Sequence, residues 1–162
     1  MMIRKIYLDM DGVLTDFERR YREIFGTDPA LVRAHKQFSE HWTEFVQGHH
    51  FNCLDYHEGA LELLEYLADK DVEIEILSSS GGEKYHNIVE QDKILWLCEH
   101  GIPYHPNIVS GRSKKKNFAG PDAILIDDTE DNIRQFVEAG GHGIYHTNVK
   151  ETIAELDRLL NA

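Results

Sequence analysis

Asp9-Met10-Asp11-Gly12-Val13-Leu14 decides the reading of this chain, because it follows directly on the run Ile3-Arg4-Lys5-Ile6-Tyr7-Leu8. Two carboxylates two residues apart therefore stand where a buried strand runs out into a loop. Side chains at i and i+2 leave a pleated strand on the same side, and open α/β sheets hold ligands and metals at such strand ends. The pattern predicts a Mg²⁺-dependent phosphate site. Asp11-Gly12 also suits an ordinary tight turn with Asp9 as a cap, so the motif needs support from elsewhere in the chain.

That support is a second acidic pair, Asp127-Asp128, again directly after a buried apolar run, Ala123-Ile124-Leu125-Ile126. Clustered carboxylates repel one another and lose hydration on burial, so a hard cation that takes oxygen ligands is the natural neutraliser. A third strand, Val72-Glu73-Ile74-Glu75-Ile76-Leu77, ends in Ser78-Ser79-Ser80-Gly81-Gly82. Hydroxyls and exposed amides at a strand end suit phosphate oxygens, although the same composition also makes a flexible loop.

The remaining chain alternates strand and helix signals, predicting an α/β fold: a Rossmann-like, mainly parallel sheet covered by helices on both faces. Helices are expected over residues 13–25, 30–47, 58–70, 83–100, 130–139 and 151–160. In the second of these Leu31, Ala34, Phe38, Trp42 and Phe45 recur at spacings of three and four. Short strands are expected at 107–109 and 143–146. Residues 17–57 interrupt the alternation between the first and second strands.

At 162 residues the chain can bury a core without disulfides. Its two cysteines, Cys53 and Cys98, follow no metal-ligand spacing, and the histidines match no common zinc pattern. No apolar stretch approaches the length of a membrane span and no signal-peptide pattern stands at the N-terminus, so a cytoplasmic protein is expected. A net charge of −12 disfavours a nucleic-acid polymer as partner and leaves a small phosphorylated substrate. Oligomeric state is not encoded in any pattern here.

With these motifs in order, the chain resembles the haloacid dehalogenase (HAD) superfamily of phosphatases over nearly its whole length. Within it the chain is similar to small 5′(3′)-deoxyribonucleotidase-like proteins, through Ile124-Leu125-Ile126-Asp127-Asp128 and Ala139-Gly140-Gly141. The resemblance implies a core of residues 1–16 and 58–162 with a small helical cap, residues 17–57, inserted after the first strand. It also implies that Asp9 is the nucleophile and that Ser78 is the hydroxyl of the second motif. A basic residue from Lys114-Lys115-Lys116 would supply the third; Lys115 lies twelve residues before Asp127, and Lys116 is the alternative.

Chemistry assigns the other roles. Anionic nucleophiles are repelled by anionic phosphate, so catalysis requires charge cancellation and in-line positioning. Asp9 attacking phosphorus would split one hard displacement into two easier ones. Asp11 would protonate the leaving oxygen and later deprotonate water. Metal candidates are Asp9, Asp11, Asp128 and, directly or through water, Asp127. Ser78, Ser79, Gly12 and Lys115 are phosphate-binding candidates, and Phe17, Arg20, Trp42 and Phe45 are candidates for contacts to the rest of the substrate. The resulting expectation is a Mg²⁺-dependent phosphohydrolase acting on a small monoester such as a (deoxy)nucleoside monophosphate. A phosphomutase using the same intermediate and a non-catalytic metal- or phosphate-binding module are the alternatives.

Overall fold

The computed structural model describes residues 2–162. Five strands, β1 (Lys5–Leu8), β2 (Glu73–Ser79), β3 (His105–Val109), β4 (Ala123–Asp127) and β5 (His142–Tyr145), form one all-parallel sheet in the order β3-β2-β1-β4-β5. β1 is central, so its C-terminal end, where Asp9 emerges, lies between the ends of β2 and β4.

Alternation along the strands sends side chains to two faces. Ile6, Leu8, Ile74, Ile76, Ile124 and Ile126 enter the larger core with α4 (Ala60–Ala68), α5 (His86–Glu99) and α7 (Val149–Leu160). Tyr7, Leu77, Ala123 and Leu125 face the other way, against Phe136 of α6 (Glu130–Glu138) and Phe118 of a 3₁₀ helix (Arg112–Phe118). The predicted sheet with helices on both faces is present.

The segment between β1 and α4 carries α1 (Phe17–Phe25), α2 (Pro29–Val32), α3 (Lys36–Gln47) and a 3₁₀ turn (His50–Asn52). Phe17, Tyr21, Val32, Phe45 and Phe51 belong to the same apolar core as the sheet residues. Two expected helix limits move here. The first helix starts at Phe17 rather than Val13, because the amides of residues 13–15 turn back to the Met10 carbonyl and Asp16 caps the helix by accepting from the Arg19 amide. The expected helix 30–47 is broken between Val32 and Lys36: Asp28 caps α2 ahead of Pro29, and His35 is extended (φ −111°, ψ 153°) before α3 begins. Leu31, expected on the buried stripe, is exposed.

Candidate active site

Three strand ends build the floor of the site. The Asp9 amide donates to the Ile126 carbonyl at 3.0 Å, fastening the end of β1 to β4. Beyond it, Met10 is buried and its carbonyl accepts from the amides of Val13, Leu14 and Thr15. Gly12 sits in this turn at φ +86°, and a Cβ there would lie 1.9 Å from Asp128 Oδ2. Both the backbone angle and the approach of Asp128 therefore demand glycine. Thr15 Oγ1 donates to Asp11 Oδ1 at 2.8 Å, holding the second carboxylate of the motif.

At the end of β4, Asp127 is fully buried and fully engaged. Its Oδ1 accepts from the Thr129 amide (2.9 Å), and its Oδ2 accepts from Lys115 Nζ (2.7 Å) and Asn132 Nδ2 (3.1 Å). The His146 amide donates to its carbonyl. Lys115 also donates to Asp9 Oδ1 at 2.9 Å, so one ammonium joins the two strand ends. Lys116, the sequence alternative, is exposed and does not line the cleft, whereas Lys115 is 2 % exposed.

At the end of β2, Ser78 is buried and meets a second buried ammonium. Lys93 Nζ donates to Ser78 Oγ (2.7 Å), Asp11 Oδ2 (3.0 Å) and the Ser79 carbonyl (3.0 Å). Sequence reasoning missed Lys93, since a charged residue within a helix ordinarily reads as solvent-facing. A signal was present: Val89, Lys93, Trp96 and Leu97 recur at helical spacing, which places the lysine on the buried stripe of α5.

Positive charge is scarce in this site. Burial, followed by the neighbouring Asp127 charge, pushes the Asp9 carboxyl well above the usual carboxylate range despite Lys115. Burial would pull the Lys115 ammonium down, but Asp9 and Asp127 more than offset it and hold it above the ordinary lysine value. Asp128 is pushed up to about 6, by burial and then by the Asp127 and Asp11 charges. Among the described residues, Asp128 has no lysine partner, unlike Asp9, Asp11 and Asp127. Asp9, Asp127 and Asp128 each offer an oxygen within 4.8 Å of the others. An all-oxygen, charge-deficient set of this kind fits a hard divalent cation.

A cleft of about 510 Å³ opens above this floor. Asp9, Asp11, Gly12, Ser78, Ser79, Lys115 and Asp128 line it, and so do Phe17 and Trp42 from the helical segment. Two other residues expected to meet substrate do not reach it. Arg20 turns to His50 Nδ1, with Nε at 3.2 Å. Phe45 is fully buried, its ring centroid 5.0 Å from Phe17 and 4.8 Å from Phe51. The walls also include Phe38, part of the apolar spacing read over residues 30–47, and Arg33, His57, Arg112 and Asn132, which no motif marked. Trp42 lies against the loop after β2, where a Cβ on Gly81 would come within 2.4 Å of its Cζ2.

Comparisons with known proteins bear on the family and the fold. A protein of Chlorobaculum tepidum named "Putative 5'(3')-deoxyribonucleotidase" is 26% identical over 159 residues, which cover 86% of this chain and 75% of that one. The fold is similar to a HAD-superfamily hydrolase from Ehrlichia chaffeensis, with TM-score 0.58 and 12% identity over 99% of this chain and 100% of that one. It is also similar to Bacillus subtilis YfnB, a HAD-hydrolase solved bound to magnesium, with TM-score 0.52 and 14% identity over the whole of both chains. Residues 1–158 match the model of the family described as 5' nucleotidase, deoxy (Pyrimidine), cytosolic type C. Since that match spans almost every residue of the sheet and cleft just described, the chain belongs to this nucleotidase family (NT5C), phosphatases of the haloacid dehalogenase type.

Proposed function

We propose that this protein hydrolyses a small phosphomonoester, a (deoxy)nucleoside monophosphate, through an aspartyl-phosphate on Asp9. The observation that carries the reading is Asp9 itself: a buried carboxyl group lining the cleft, with Oδ1 held by Lys115 at 2.9 Å, so that attack falls to its second oxygen. In the first step Asp9 Oδ2 bonds to phosphorus as the ester P–O bond breaks, and Asp11, acting as the carboxylic acid, gives its proton to the departing oxygen and is left as the carboxylate. In the second step water attacks the aspartyl-phosphate, Asp11 takes its proton, and inorganic phosphate leaves.

The other groups hold the phosphate. Lys115 spends two N–H donors on Asp9 and Asp127 and has a third for a phosphoryl oxygen. Ser78 lines the same cleft and supplies a hydroxyl. Asp9, Asp128 and the Asp11 carbonyl, with Asp127 orienting them, would hold Mg²⁺, which when bound cancels charge between substrate and nucleophile. Residues 17–57 act as the cap over a core of residues 1–16 and 58–162. Phe17 and Trp42, rings of that cap at the cleft, suit stacking on a nucleobase. The relative from Chlorobaculum tepidum carries a deoxyribonucleotidase name, which supports the same substrate class.

The test is inorganic phosphate release from nucleoside monophosphates, sugar phosphates and phosphopeptides, with Mg²⁺ or with chelator, for the native protein and Asp9→Asn. Mg²⁺-dependent release that favours nucleoside monophosphates and is lost in Asp9→Asn is expected. Full activity in Asp9→Asn overturns the covalent route, and a preference for phosphopeptides overturns the substrate class.

A further inference from the structure

Lys93 is the buried charge that the reaction scheme above leaves without a task. Its side chain is 1% exposed, deep on α5. An ammonium is costly to bury unless its donors are paired, and here three donors meet three acceptors: Ser78 Oγ, Asp11 Oδ2 and the Ser79 carbonyl. It also stands 5.1 Å from the centre of the Phe51 ring, in the 3₁₀ turn of the helical segment. One side chain thus touches the loop after β1, the end of β2 and the segment proposed as the cap.

The direction of these bonds has a chemical consequence. An ammonium only donates, so Ser78 Oγ must accept from Lys93, and its own O–H is free to donate elsewhere. Ser78 lines the cleft, where a phosphoryl oxygen would accept that hydrogen bond. Asp11 is similarly constrained, with Oδ1 accepting from Thr15 and Oδ2 from Lys93. Two tethers on two oxygens fix the plane of the carboxylate as well as its position.

We propose that Lys93 is a positioning residue that sets both the proton-transferring carboxylate, Asp11, and the phosphate-facing hydroxyl, Ser78, without itself touching substrate. This rests on the phosphomonoesterase reading. Lys115 and Lys93 then divide the work: the first joins the strand ends carrying Asp9 and Asp127, and the second joins those carrying Asp11 and Ser78.

The test is Lys93→Met, which keeps the length and removes the donors, assayed on two esters with Mg²⁺ present. An alkyl phosphate such as a nucleoside 5′-monophosphate needs its leaving oxygen protonated, whereas 4-nitrophenyl phosphate departs as a stable anion. kcat/KM reports formation of the aspartyl-phosphate in both cases. With Asp11 misplaced, kcat/KM for the alkyl ester should fall about 100-fold, the scale of general acid catalysis. The aryl ester, losing only the Ser78 orientation, should fall by about 10-fold or less, on the scale of one hydrogen bond. Equal losses on both esters, or no loss on either, overturn the proposal, because a merely structural lysine would not distinguish leaving groups. If Lys93→Met does not reach the native state by circular dichroism, Lys93→Gln, which keeps a donor in the socket, carries the same comparison. Native protein inert toward both esters overturns the phosphomonoesterase reading and this inference with it.

Discussion

On the floor of the cleft Asp9, Asp11, Ser78 and Asp127 are held by directed bonds, whereas on its roof the side chains are held by shape. Asp127 has both carboxylate oxygens and its carbonyl occupied, and Lys115 and Lys93 each bridge two strand ends. Above them, the Trp42 ring lies beside those of Phe17 and Phe38, with centroids 6.0 and 6.1 Å away. Hydrogen bonds fix orientation within tenths of an ångström, while dispersion contacts between rings accept sliding. The floor therefore holds its groups in one geometry, and the roof tolerates displacement.

Substitutions at the two levels should break this comparison in different ways. Asp9→Asn removes the oxygen proposed to attack and is expected to lower kcat by about 10⁴-fold, measured by phosphate release. Gly12→Ala forces a Cβ into Asp128 at φ +86°; displacing the carboxylate by about 1 Å should cost about 100-fold in kcat/KM. Trp42→Ala on the roof should instead raise KM for nucleoside monophosphates by about 10-fold, on the scale of one lost stacking contact. In that variant kcat should stay within a few-fold of the native value. A roof substitution that lowers kcat as steeply as a floor substitution would erase the distinction.

The smallest effect sharpens the electrostatics of the floor. Asp128 titrates near 6 in the folded protein against 3.8 for an unperturbed group. The folded state thus keeps a proton that the unfolded chain releases, and the associated stability is fully present below pH 3.8 and lost as the pH rises through 6. In chelator, Asp128→Asn should raise the melting temperature at pH 8 by about 6–12 °C. The difference should close as the pH falls below 4.

The floor was largely legible in the sequence because each of its motifs is local. A strand that ends in carboxylates or serines carries them to the same edge whatever else the chain does, so Asp9, Asp11, Ser78 and Asp128 meet at one cleft. The acidic pairs and the strands that carry them could thus be read residue by residue. What could not be read depends on packing between distant segments. Arg20 turns to His50, thirty residues on, and Phe45 packs between Phe17 and Phe51 rather than into the cleft. Lys93 joins Asp11 across 82 positions, a partnership no helix pattern announces. The break between α2 and α3 was hidden by an apolar spacing in which Leu31 takes part although it faces solvent.

The two tryptophans of this chain fall one on each side of the divide. Trp42 is half-buried at the mouth of the cleft against Gly81. Trp96 is sealed in the core, its indole N–H bonded to the Leu54 carbonyl at 2.8 Å and its ring stacked on His100. The molecule therefore carries two intrinsic fluorophores with separate subjects. A ligand entering the cleft perturbs the emission of the first, and only loss of the core exposes the second. Paired with Trp42→Phe, the native protein lets occupancy and unfolding be followed as distinct optical signals without any added label.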